Sequence, residues 1–162
     1  MPTALDLHPA ARRLAALALA SIALSASCGT AHAQDADARR LAAVWPGTTI
    51  NIVVDEGAVE PRSIGSYALR LYDGRRGGDD HDLYLTGVAR PRDGGLLKLD
   101  FADLDGDGAA ELVVVMQSAG SGGYLAADAF RLQHGVLSRV AGVEGLAPSA
   151  DVVTALRKAA AR

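Results

Sequence analysis

Residues 111–132 read ELVVVMQSAGSGGYLAADAFRL. The opening ELVVVMQ is apolar on both faces of an extended chain, which predicts a strand in the middle of a sheet rather than at its rim. The segment YLAADAFRL (124–132) is a second strand candidate. Between them lies QSAGSGG, where glycine costs the most backbone entropy to order. A two-residue Asn-Gly turn would close such a hairpin at lower cost. The extra length is therefore a feature to explain.

The flanking sequence extends the β pattern. TTINIVV (48–54) is β-branched. IGSYALRLYDG (64–74) alternates, with Tyr67, Leu69 and Leu71 on one face. DLYLTGVAR (82–90) is closed by PRDGG as a turn, LLKLDF (96–101) follows, and VLSRVAGV (136–143) comes after a QHG turn. About seven to eight strands with turn signals between them predict an all-β chain, an antiparallel β-sandwich or small barrel. Short terminal helices complete it. QDADARRLAAVWPG (34–47) is read as a short helix and turn. Residues 147–162 change period, with Ser149 or Asp151 as N-cap and Val152, Val153 and Leu156 on the buried side. Asp55, Glu56 and Glu60 are read as a solvated edge. GRRGGDDHD (74–82) is read as a polar loop.

The first 33 residues have the order of a secretory signal: Arg12 and Arg13, an apolar run at 14–27 too short to span a bilayer, and AHA before Gln34. Export follows, with one domain over residues 34–162. Cys28 is the one cysteine, and LSASC resembles a lipobox. Ser25 stands where an aliphatic residue is usual, so cleavage near Ala33 and Gln34 is the preferred reading. The formal net charge is −3, and removing Asp6, Arg12 and Arg13 with the signal makes it more negative by one. With only Lys98 and Lys158 as lysines and no basic run, nucleic acid is a poor partner. A basic protein is a better one.

Two segments carry candidate chemistry. DLDGDGAAEL sets Asp103, Asp105 and Asp107 at alternate positions, then Gly108 and Glu111. Hard oxygen ligands so spaced, with glycine to turn the chain, suit a structural Ca²⁺. An EF-hand would need a glutamate where Val114 stands. The second segment is SAGSGGY. As a nucleophile elbow around Ser121 it fails, because Ala119 replaces the first glycine and a strand follows instead of a helix. The mature chain, 34–162, is also short for a hydrolase and offers only His81 and His134 as bases. As a phosphate cradle it lacks the lysine. A slim loop bearing Ser and Tyr hydroxyls, both able to donate to carboxylates, reads instead as a probe that enters a cleft.

EPRSIGSYALRLY (60–72), residues 88–132 and DVVTALR (151–157) together resemble the bacterial periplasmic inhibitors of invertebrate-type (I-type) lysozyme. The likeness spans roughly residues 48–157 and includes an S-G-x-Y element at Ser121, Gly122, Gly123 and Tyr124. The resemblance implies an antiparallel β-sandwich without enzymatic activity or a required cofactor. It implies an I-type lysozyme as partner and allows a homodimer. A protruding loop would occupy the lysozyme's active-site cleft by hydrogen bonds to its catalytic carboxylates. That role falls on Ser121 and Tyr124, with Gly120, Gly122 and Gly123 giving the backbone its shape. Two rival readings remain: a calcium-dependent binding or adhesion module using 103–111, and a small hydrolase using Ser121.

Overall fold

The computed structural model describes residues 39–75 and 83–161. The signal segment 1–33, Cys28 and His81 lie outside the described residues. Eight strands run in chain order: β1 (Arg40–Val44), β2 (Ile50–Glu56), β3 (Ile64–Asp73), β4 (Tyr84–Asp93), β5 (Gly95–Ala102), β6 (Glu111–Gln117), β7 (Leu125–Gln133) and β8 (Val136–Leu146). One helix, α1 (Val152–Ala160), follows. The strands form two four-stranded antiparallel meanders, β1-β2-β3-β4 and β5-β6-β7-β8. The expected β-sandwich is the observed fold.

Period-2 alternation builds the layers. Tyr67, Leu69 and Leu71 of β3 are fully buried and meet Leu112, Val114 and Met116 of β6 between the sheets. The other face of β6, Val113 and Val115, packs with Ala127, Ala129 and Leu156. Strand β6 is apolar on both sides because one side faces the opposite sheet and the other faces α1. Asp151 caps α1 by accepting from Val153 N at 3.0 Å and Thr154 N at 3.2 Å. Arg157 of α1 donates to the Asp103 carbonyl at 3.1 Å and ties the helix to the Asp-rich loop.

Three expectations need correction. Residues 40–44 are a strand, not a helix. RLAAV has no intrinsic objection to helix, but five residues cannot nucleate one alone. Pairing with β2 buries part of Leu41 and Ala43 against the core, and that tertiary gain decides the matter. Second, PRDGG is not all turn: Pro91, Arg92 and Asp93 continue β4, and the reversal narrows to Gly94 at φ +91°. Proline is tolerated there because β4 is an edge strand. Third, Asp55, Glu56 and Glu60 do not form a freely solvated edge. Glu56 is buried and accepts the Leu96 amide at 2.6 Å, and Glu60 folds back on Ser66. Asp55 is likewise engaged, by Arg40 and Arg70.

The meander topology sorts the loops to two ends. Residues 57–63, Gly94, 118–124 and 147–151 lie at one end. The loops at 45–49, 103–110 and 134–135 lie at the other. The glycine-rich segment and the Asp-rich segment therefore sit at opposite ends of the sandwich.

Leu156 is the fully buried anchor of α1. Truncating it to Ala should cost about 2–4 kcal/mol in urea unfolding. Because the helix is remote from no sheet residue it covers, the loss should appear as one cooperative transition at lower urea, with the slope unchanged.

Candidate functional site

The segment 118–124 is a short, internally bonded structure. Gln117 pairs with Leu125 as the last rung of the ladder, and the Ser118 amide donates to the Tyr124 carbonyl at 2.8 Å. Above that base, the Gly123 amide donates to the Gly120 carbonyl at 3.1 Å and closes a β-turn with Ser121 and Gly122 at its corners. Gly120 N donates to Ser118 Oγ at 3.3 Å, and Gln117 Nε2 donates to the Gly123 carbonyl at 3.4 Å. The entropy cost of these glycines is met by folding, before any partner arrives.

Two glycines shape the turn. Gly123 has φ +56°. A Cβ on Gly122 would overlap the Tyr124 ring, 2.8 Å from its Cδ2 and closer still to Cε2. The ring thus lies against bare backbone, which orients it while leaving it 55% exposed. Ser121 is exposed at the turn corner. Among the described residues neither its hydroxyl nor that of Tyr124 has a hydrogen-bond partner, so both are free to meet an outside acceptor.

A neighbouring turn braces the base of this segment. A Cβ on Gly94 would overlap the Gln117 carbonyl oxygen and come within 2.7 Å of Ser118 Cα, so only glycine allows this approach. Arg92, 4% exposed, holds the Gly94 carbonyl from below at 2.5 Å. The same guanidinium donates to the carbonyls of Pro61, Arg62 and Ser66 at 3.1, 3.0 and 2.9 Å, and faces Glu56 at 3.8 Å. One buried arginine therefore gathers the loop 57–63 and the β4–β5 turn beneath residues 117–118. Sequence reading missed it, since a lone arginine after a proline has no spacing signal.

Beside the turn is a cleft of about 250 Å³, lined among others by Arg90, Ser118, Tyr124, Asp128 and Glu144. At its wall Asp128 accepts from Tyr67 Oη at 2.6 Å and Arg139 Nε at 2.5 Å, with Arg90 3.8 Å away. Burial, then the bond to Asp128, pushes the Tyr67 phenol well above its ordinary value. Tyr67 is a structural donor that stays protonated. His134 stands exposed in the β7–β8 turn, at the end opposite Ser121, and cannot serve that serine as a base.

At that opposite end, Asp103, Asp105 and Glu111 bring carboxylate oxygens within 4.8 Å of one another, and Asp107 is not among them. Much of their capacity is already used. Asp103 accepts the amides of Gly106 and Gly108 at 2.6 and 3.0 Å, and buried Glu111 accepts that of Leu104 at 2.8 Å. Asp107 accepts the Ala109 amide. Arg131 donates to Glu111 at 2.8 Å and also to Asp105. That bond to Arg131 is the main cause holding the Asp105 carboxyl below its ordinary range. Positive charge is thus supplied from within the fold. The register could have revealed it: with Gln117 across from Leu125, counting back sets Glu111 across from Arg131.

The comparisons with known proteins agree with this architecture. The family described as periplasmic lysozyme inhibitor of I-type lysozyme (PliI) matches residues 39–160. The crystal structure of the inhibitor PliI-Ah from Aeromonas hydrophila is similar with a TM-score of 0.67 and 44% identity, covering 73% of this chain and 98% of that one. The structure of Aeromonas hydrophila PliI in complex with Meretrix lusoria lysozyme is similar with a TM-score of 0.65 and 45% identity, covering 74% and 94%. No curated protein matches the chain. With the family matched over residues 39–160 and two crystal structures of its members aligned over nearly their whole lengths, the chain belongs to the periplasmic lysozyme inhibitors of I-type lysozyme.

Proposed function

We propose that this protein inhibits an I-type lysozyme by inserting the turn that carries Ser121 and Tyr124 into the enzyme's active-site cleft. Both hydroxyls donate to the catalytic carboxylates there. The observation that carries the reading is the ordered turn itself: Gly123 bonded back to Gly120, Tyr124 laid on Gly122, and two hydroxyls without internal partners. The relative crystallised with Meretrix lusoria lysozyme supports the choice of partner. The reading needs no cofactor, and the chain's negative charge suits a basic enzyme.

A lysozyme turbidity assay tests it. The region 34–162 should abolish lysis by an I-type enzyme at micromolar concentration, and unchanged lysis would sink the proposal. Tyr124→Ala should weaken inhibition by about 30-fold or more, the cost of an anchor worth at least ~2 kcal/mol. Gly122→Ala should also weaken it, because the new methyl group displaces the ring. Both positions are exposed, so circular dichroism should be unchanged.

A second reading, a calcium-dependent binding module, draws support from the convergence of Asp103, Asp105 and Glu111. Arg131 at the same carboxylates weighs against it. The two separate in chelator. Inhibition through Ser121 and Tyr124 should be indifferent to EDTA, because those residues lie at the other end of the sandwich. A calcium-dependent module would lose its partner, and calcium at about 100 times its Kd would add ~2.7 kcal/mol of stability.

A further inference from the structure

The chain passes from one sheet to the other at a single residue, Gly94, between β4 and β5. That crossing point lies against the Gln117 carbonyl and Ser118, at the base of the turn that carries Ser121 and Tyr124. The next residue, Gly95, pairs with Gln117 in the ladder. Whatever fixes Gly94 therefore fixes the mount of the turn.

Three hydrogen bonds hold the crossing. The Gly94 amide donates to the Ser63 carbonyl at 2.8 Å, the Arg92 guanidinium donates to the Gly94 carbonyl at 2.5 Å, and the Leu96 amide donates to Glu56 Oε1 at 2.6 Å. Arg92 and Glu56 also face each other at 3.8 Å, with side chains only 1% and 2% exposed. Glu56 and Arg92 stand on β2 and β4 of one sheet, and Leu96 stands on β5 of the other. The ion pair thus spans the seam between the sheets. Stability alone does not call for it: taking two charges out of water is costly, and apolar pairs of similar volume often do as well or better. Apolar packing is non-directional, though, and cannot hold one particular carbonyl. A guanidinium fork can.

We propose that the buried Arg92–Glu56 pair sets the strength of inhibition without touching the lysozyme. It holds the sheet crossing at Gly94 against Gln117 and Ser118, and so keeps the Ser121–Tyr124 turn in its binding shape. This rests on the reading given under Proposed function. Arg92 and Glu56 are positioning residues: they act through Gly94 and Leu96, and the benefit is a turn that needs little ordering when it docks.

The test compares the wild type, the double variant Glu56→Gln/Arg92→Met, Leu156→Ala and Tyr124→Ala in the I-type lysozyme assay, at a temperature where each is folded by circular dichroism. The double variant removes both charges together, so none stays buried unpaired, and Gln keeps an acceptor for the Leu96 amide. It should raise the inhibitory concentration roughly tenfold, the fold-change that corresponds to ordering about one more residue on binding. Before any lysozyme is added, the Ser118 and Gly123 amides, which close the turn, should exchange faster relative to those of β6. Leu156→Ala loosens α1 rather than the crossing and should inhibit normally. Gly94→Ala attacks the same contact from the other side, because its methyl group cannot fit over the Gln117 carbonyl, and it should weaken inhibition too. A folded double variant that inhibits as well as the wild type, while Tyr124→Ala fails, overturns this inference and leaves the parent reading standing. Equal losses for the double variant and Leu156→Ala also overturn it, by tracing the effect to stability. If the double variant does not fold, Gly94→Ala decides by the same criteria. Failure of both to fold overturns the inference, since the crossing would then serve the fold as a whole. A wild type that does not inhibit overturns both readings.

Discussion

Strand β6 is held from every side, and the rest of the structure depends on that. Its neighbours β5 and β7 satisfy its backbone, the opposite sheet covers Leu112, Val114 and Met116, and the α1 side covers Val113 and Val115. Few strands in an antiparallel sandwich are buried on both faces. The result is a stiff rod whose two ends emerge at opposite poles. One end meets the Asp-rich loop, pinned by Arg131 and Arg157. The other carries the Gly120–Gly123 turn. A probe is only as rigid as its mount, and this mount is among the best-buried segments of the chain.

The turn itself answers the question its glycines raise. Freely moving, a loop of this length would cost about 1–2 kcal/mol per residue to order on binding. That would remove much of the energy of a standard-size protein interface. Bonds from Ser118, Gly120, Gly123 and Gln117 order it beforehand, and Gly94 braces it from outside. Glycine serves here as a small residue that lets the Tyr124 ring and a neighbouring turn approach the backbone. Arg92 belongs to the same logic. A buried guanidinium is seldom retained for stability alone, since well-packed apolar replacements often do as well. Its four carbonyl acceptors lie on the 57–63 loop, the start of β3 and the β4–β5 turn, and joining them fixes where the loops stand.

Much of this was legible in the sequence. Two-faced apolarity identified β6 with its true bounds, alternation gave the buried face of β3, and the S-G-x-Y element drew attention to Ser121 and Tyr124. Local pattern failed where distant contacts decide. RLAAV became a strand because β2 offers it a ladder and a core. Glu56 and Glu60 read as surface charges, yet one is capped by a backbone amide forty residues on and the other by Ser66. Arg92 gave no signal, because its acceptors are carbonyls, which every residue has. The three aspartates looked alike, but only Asp103 and Asp105 converge with Glu111, and register supplied Arg131 as their counter-charge.

The central claim is that one end of the sandwich is the binding end. Hydrogen–deuterium exchange of this protein, with and without an excess of I-type lysozyme, tests it directly. The account predicts that complex formation slows exchange at residues 118–124 and leaves 103–110 and 134–135 unchanged. Slowed exchange at 103–110, with 118–124 unaffected, would contradict it.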